Sequence, residues 1–144
     1  AAERQPSTRI SRHRVDCRFQ RVDEAISMSA MYAANHLDIK AIVALTESGS
    51  TPLWMSRIRT AIPVFGLSRH SESLGKMTLY RNVYPLFFDV TLHQRDEIKR
   101  EAIDVLERRG FVNTGDMAII TKGDQDGVYG VTNAMKIVEV GQVV

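Results

Sequence analysis

The chain has 144 residues with 44% hydrophobic and 25% charged residues, a formal net charge of +2 and a single cysteine. That is the size of one domain, and about two-thirds of its surface would be buried on folding, so neither disulfides nor metals are needed for stability. The lone Cys17 excludes an internal disulfide framework and points to a reducing, cytoplasmic setting, and no apolar run approaches the roughly 20 residues of a membrane-spanning helix.

The charge is uneven. Residues 1–21 carry six arginines (Arg4, Arg9, Arg12, Arg14, Arg18, Arg21) against Glu3 and Asp16, while the remainder is slightly acidic. With Phe19 as its single aromatic, this segment reads as a basic arm or linker rather than a nucleic-acid surface. The opening Ala1–Pro6 has neither a Met nor an apolar signal core, and reads as a piece of a longer chain. Residues 22–144 read as a single α/β domain.

Within that domain, Val22, Ile26, Ala30, Ala33 and Leu37 follow helical spacing, with Asp23 as the expected N-cap and a small opposite face of Ala25, Ser29 and Ala34. Ala41–Leu45 is a continuous apolar run, as expected of a strand covered on both faces. Thr51 as N-cap and Pro52 at the first helical position then open a helix to about Arg59. A second strand is expected at Pro63–Leu67, a short helix at Ser71–Leu79 and a third strand at Tyr84–Phe88. The longest pattern, Arg95–Arg109, places Ile98, Ala102, Val105 and Leu106 on one stripe and Gly110 where a left-handed C-cap belongs. Met117–Thr121 and Met135–Val140 complete five strands. Their connection has no room for a crossover helix, so this last pair should be antiparallel. The expected fold is a three-layer α/β sandwich on a mainly parallel sheet.

Chemistry concentrates at Thr46–Thr51, where Thr46, Ser48, Ser50, Thr51 and Gly49 lie between a strand's carboxyl end and a helix start. That edge of an α/β sheet is where ligands bind, and hydroxyls beside a helix start suit a phosphate. No Gly-Lys-Ser/Thr closes the turn, so it is not an ATP-type P-loop; the same residues also serve as an ordinary capped turn. A second segment, Lys122 to Gly130, holds Gly123, Gly127 and Gly130 with Asp124 and Tyr129, and reads as a flap or hairpin tip. Asp124, Asp126 and Gly127 lack the further ligands of a calcium loop. His13, His36, His70 and His93 show no metal-ligand spacing, Glu47 and Asp116 form no evident acid/base pair, and Trp54 reads as core or interface. No catalytic or metal constellation is expected in this chain.

Together the segments Asp23-Glu24-Ala25-Ile26-Ser27-Met28-Ser29-Ala30, Ala44-Leu45-Thr46-Glu47-Ser48-Gly49, Ser56-Arg57, Leu79-Tyr80-Arg81, Gly115-Asp116 and Gly130-Val131-Thr132-Asn133-Ala134-Met135-Lys136 resemble the C-terminal domain of pyruvate kinase of the bacterial type. The resemblance runs in family order over about residues 12–140. It implies a full-length cytoplasmic enzyme that moves phosphate from phosphoenolpyruvate to ADP with Mg²⁺ and a monovalent cation (K⁺), its catalytic residues in a separate barrel domain. It also implies a homotetramer with contacts near the last strand. This domain would be its regulatory part, without a cofactor or catalysis of its own. Thr46, Ser48, Gly49, Ser50 and Thr51 would cradle the phosphate of a small-molecule effector, and Lys122, Gly123, Asp124, Gly127, Tyr129 and Gly130 would belong to the closing flap.

Family members that take fructose 1,6-bisphosphate carry a Trp and an Arg between the third strand and the last long helix. Here Asp89–Arg95 has no Trp and one Arg, and Glu47 adds a carboxylate beside the cradle. Both features favour a sugar or nucleotide monophosphate. Two other readings stay open: a free-standing enzyme acting on a phosphosugar, and an oligomerisation module whose turn is only a cap.

Overall fold

The computed structural model describes residues 21–123 and 132–142. Ala41–Leu45 (β1) is buried at every position and sits at the centre of a five-stranded sheet. Val64–Ser68 (β2) lies on one side of it, followed outward by Val83–Phe87 (β3). Met117–Lys122 (β4) and Ala134–Glu139 (β5) lie on the other side. β1 pairs in parallel with β2 and β4, β2 in parallel with β3, and β4 antiparallel with β5. The expected α/β sandwich, with its one antiparallel pair, is the observed fold.

Alternation along β1 builds two cores. Ala41, Val43 and Leu45 face Ala102, Ile103 and Leu106 of the helix Ile98–Arg108. Ile42 and Ala44 face the opposite layer. That layer is the helix Val22–His36 (α1) together with the short helices Ser50–Ser56 (α2) and Ser71–Met77 (α3); Ile98–Arg108 is therefore α4. A turn of 3₁₀ helix at Arg95–Glu97 leads into α4, and Gly110 follows it at φ +81°, the left-handed conformation expected of that glycine.

Helix α1 departs from its expected stripe. Its buried residues are Asp23, Ser27, Ala30, Met31 and Ala34, whereas Val22 and Leu37 are exposed. Asp23 is not the N-cap: that position is Arg21, and Asp23 lies within the first turn. Apolar spacing misplaces this face because two of its five buried residues are polar and are held there by hydrogen bonds to another element. Nor is Thr51 an N-cap. Helix α2 starts two residues earlier, from Gly49 in the left-handed conformation (φ +86°), and stops at Ser56 rather than Arg59. Only glycine adopts such a backbone without strain.

The order β3-β2-β1-β4-β5 places a topological switch between β1 and β4. The chain leaves β1 toward β2 on one side and returns to β4 on the other, which opens a crevice at the carboxyl ends of those two strands. Thr46–Gly49 leaves β1 at that edge, and Gly123 leaves β4 at the same edge.

Candidate functional site

The hydroxyls of the 46–51 turn do different jobs. Thr46 Oγ1 accepts the Gly49 N–H at 2.9 Å, and Ser48 Oγ accepts the Ser50 N–H at 3.2 Å. Each therefore keeps its own O–H proton as a donor, and neither proton meets an acceptor among the described residues. Ser50 Oγ donates instead to Asp23 Oδ2 at 2.8 Å. Thr51 is buried, and its hydroxyl donates to Thr132 Oγ1 at 2.8 Å.

The start of α2 supplies few backbone donors. Gly49 and Ser50 spend their N–H groups on the two hydroxyls, Pro52 has none, and Leu53 bonds Gly49 O at 3.2 Å. The Thr51 N–H bonds nothing among the described residues, so the donors this turn offers an anion are that backbone group together with side-chain hydroxyls.

Asp23 is an unforeseen member of the site. Its carboxylate is 3% exposed, and Arg21 grips it through Nε and Nη2 at 2.8 and 2.7 Å. Burial alone would raise its pKa; hydrogen bonds from Arg21 and Ser50 and the Arg21 charge outweigh burial and hold it below the ordinary value. Ser27, also buried, donates to Asp23 O at 2.6 Å and to Thr51 O at 3.3 Å, tying α1 to the same turn.

Glu47 does not point a bare charge at the cradle. Arg69 binds it through Nε and Nη2 at 3.1 and 2.9 Å, and His70 Nε2 lies 2.8 Å from the same oxygen. Burial would raise its pKa, yet the hydrogen bonds and charges of Arg69 and His70 bring it below the usual value. Its backbone carbonyl also accepts the Ser73 hydroxyl at 2.6 Å. The repulsion expected from Glu47 is thus largely offset by its partners.

Of the flap, Lys122 and Gly123 are described, while Asp124, Gly127, Tyr129 and Gly130 lie outside the described residues. Lys122 donates to Gly123 O at 3.3 Å. With Lys99 and Lys136 it also rims a cleft of about 190 Å³ floored by Ile120, Ala134 and Met135. Thr132, at the far end of the loop, is brought to the turn through Thr51. On β4, Thr121 Oγ1 is buried with no hydrogen-bond partner among the described residues.

Asp89–Arg95 follows β3. Asp89 accepts the Thr91 N–H at 3.0 Å, and the His93 ring stacks on Phe88 with centroids 5.0 Å apart. Among the described residues no group of three or more His, Cys, Asp or Glu could hold a metal ion, and no helix is long and apolar enough to cross a membrane.

Residues 24–138 match the family model for the pyruvate kinase alpha/beta domain. The chain is similar to pyruvate kinase from Buchnera aphidicola subsp. Acyrthosiphon pisum, 46% identical over 140 residues, which covers 96% of this chain and 29% of that protein. Similarity to pyruvate kinase II from Salmonella typhimurium is 44% with the same coverage. The Haemophilus influenzae pyruvate kinase is 44% identical over 126 residues, 86% of this chain and 26% of that protein. The chain therefore spans less than a third of the length of these relatives.

Proposed function

The chain belongs to the pyruvate kinase family, as its C-terminal α/β domain, and on that premise we propose that it is a non-catalytic effector-binding and assembly domain. Its 46–51 turn takes the phosphate of a sugar or nucleotide monophosphate. The observation that carries this reading is the pair Thr46 and Ser48. Both hydroxyls are fixed by backbone N–H groups and keep a proton to donate, at the switch point where ligands of open α/β sheets bind. Residues 122–130 would close over the ligand. The preference for one phosphate rests on Asp89–Arg95, which lacks a Trp and offers a single Arg.

The whole protein, on this reading, is a cytoplasmic homotetramer that makes pyruvate and ATP from phosphoenolpyruvate and ADP in a barrel domain outside this chain. The Mg²⁺ and K⁺ that the resemblance implies belong to that barrel. No step of the reading passes through them.

Calorimetric titration of the chain with ribose 5-phosphate, glucose 6-phosphate, AMP and fructose 1,6-bisphosphate tests the site. At least one monophosphate binds, and Ser48→Ala weakens it roughly ten- to hundredfold, the loss of one charge-assisted hydrogen bond. Absence of binding, or indifference to Ser48→Ala, would reduce the site to a capped turn and favour the oligomerisation module. Pyruvate or phosphosugar turnover by the purified chain would instead favour the free-standing enzyme.

A further inference from the structure

We propose that Arg21, the residue leading into α1, is the cation with which the 46–51 turn holds an effector phosphate, and that Asp23 holds it in reserve. The inference rests on the effector reading above and names a binding residue outside the turn itself.

A bound phosphate monoester carries close to two negative charges, yet residues 46–51 contain neither Lys nor Arg. Among the described residues two arginines reach the turn. Arg69 is committed through two nitrogens to Glu47, and moving it would leave that partly buried carboxylate with His70 alone. Arg21 is better placed. Its Nη2 lies 3.4 Å from Ser50 Oγ, and its side chain is 53% exposed, so one side of the guanidinium is open to solvent. Nε and Nη2 face Asp23. An arginine has five N–H donors in a fixed fork, so the Nη1 donors remain for a ligand.

Asp23 occupies the position of an internal anion. It accepts the Ser50 hydroxyl and two Arg21 nitrogens, donors that a phosphate would also use. An incoming phosphate therefore competes with Asp23 for Ser50 and shares Arg21 with it. Because Arg21 precedes α1, an occupied site would also tie that segment to the turn.

The two neighbours should respond with opposite signs. Titrations use ribose 5-phosphate and inorganic phosphate at two ionic strengths, with circular dichroism to verify folding. Arg21→Gln should weaken binding at least tenfold and flatten its salt dependence. Asp23→Asn, which removes a competing charge, should tighten binding several-fold. A purely structural role for the pair would lower melting temperature without changing the salt dependence. Wild-type binding that ignores Arg21→Gln overturns the proposal and leaves the effector reading standing. So does weaker binding by a folded Asp23→Asn. If wild type binds none of the phosphorylated probes, the effector reading falls and this proposal falls with it. Arg21 is half exposed, so its variant stays informative even where Asp23→Asn does not fold.

Discussion

Thr51 and Thr132 meet hydroxyl to hydroxyl at 2.8 Å, joining the first turn of α2 to the residue that leads toward β5. Both are buried, so neither hydroxyl has water as an easy substitute. Thr51→Val or Thr132→Val alone should cost about 1–3 kcal/mol, because each strands the other hydroxyl. The double variant should cost less than the sum of the two, since removing both partners of a buried bond is close to neutral. Urea unfolding of the four proteins measures this coupling. Additive losses would mean that the pair contributes nothing as a pair.

Gly66 on β2 is a packing requirement rather than a flexibility device. A Cβ there would run into Met77 Sδ and lie 3.1 Å from Met77 Cε and 3.4 Å from Pro52 Cγ. Met77 is fully buried and has little room to yield. Gly66→Ala should therefore destabilise by about 1–3 kcal/mol. Shortening the obstacle, in Gly66→Ala/Met77→Ala, should cost less than the two single changes added together. Thermal melts of the set decide it, and additivity would show that Met77 is not the obstacle.

Some of this was legible in the residues. The central strands β1, β2 and β4 read as apolar runs because a sheet covered on both faces needs no alternation, and α4 reads from its stripe because one face meets solvent. Ile103 falls outside that expected stripe, yet it is buried with Ala102 and Leu106. The turn was legible as a hydroxyl cluster after a strand, but the partner of each hydroxyl was not. Asp23 and Ser27 are polar residues on a buried helix face, an arrangement that apolar periodicity cannot register. Glu47 finds Arg69 and His70 more than 20 residues away, a pairing set by β1 and β2 lying side by side. Spacing along the chain carries no trace of it.

Three carboxylates have depressed folded pKa values, Asp23, Glu47 and the exposed Asp89, and acid should act chiefly through the two that are partly buried, Asp23 and Glu47. A group depressed in the folded state contributes stability above its unfolded pKa, about 4 for a carboxylate, and loses it as pH falls through the lower folded value. Melting temperature should therefore fall from about pH 5 toward pH 3, and Asp23→Asn with Glu47→Gln should flatten that slope while lowering stability at pH 7. Glu47→Gln alone should cost about 1 kcal/mol at pH 7, since the pair is partly solvated. Glu47→Lys should cost more, because it sets an ammonium against Arg69. Differential scanning calorimetry across this range provides the measurement. An unchanged acid slope in the double variant would assign acid sensitivity to other groups.

The two edges of the sheet are unequal, and this bears on assembly. β3 carries Pro85, opposite Gly66 in register, and a proline on an edge strand removes one donor from any further ladder. β5 has no proline, pairs only with β4 among the described strands, and leaves Ile137 39% exposed. An edge with exposed apolar side chains and unpaired backbone groups tends to find a partner. The chain should therefore self-associate at high concentration through β5. Ile137→Lys should weaken association with little loss of stability, because a charge on an exposed edge opposes pairing while the two cores stay intact. Sedimentation or light scattering up to millimolar protein follows the mass. A strictly monomeric wild type, or association unmoved by Ile137→Lys, would remove β5 as the assembly surface.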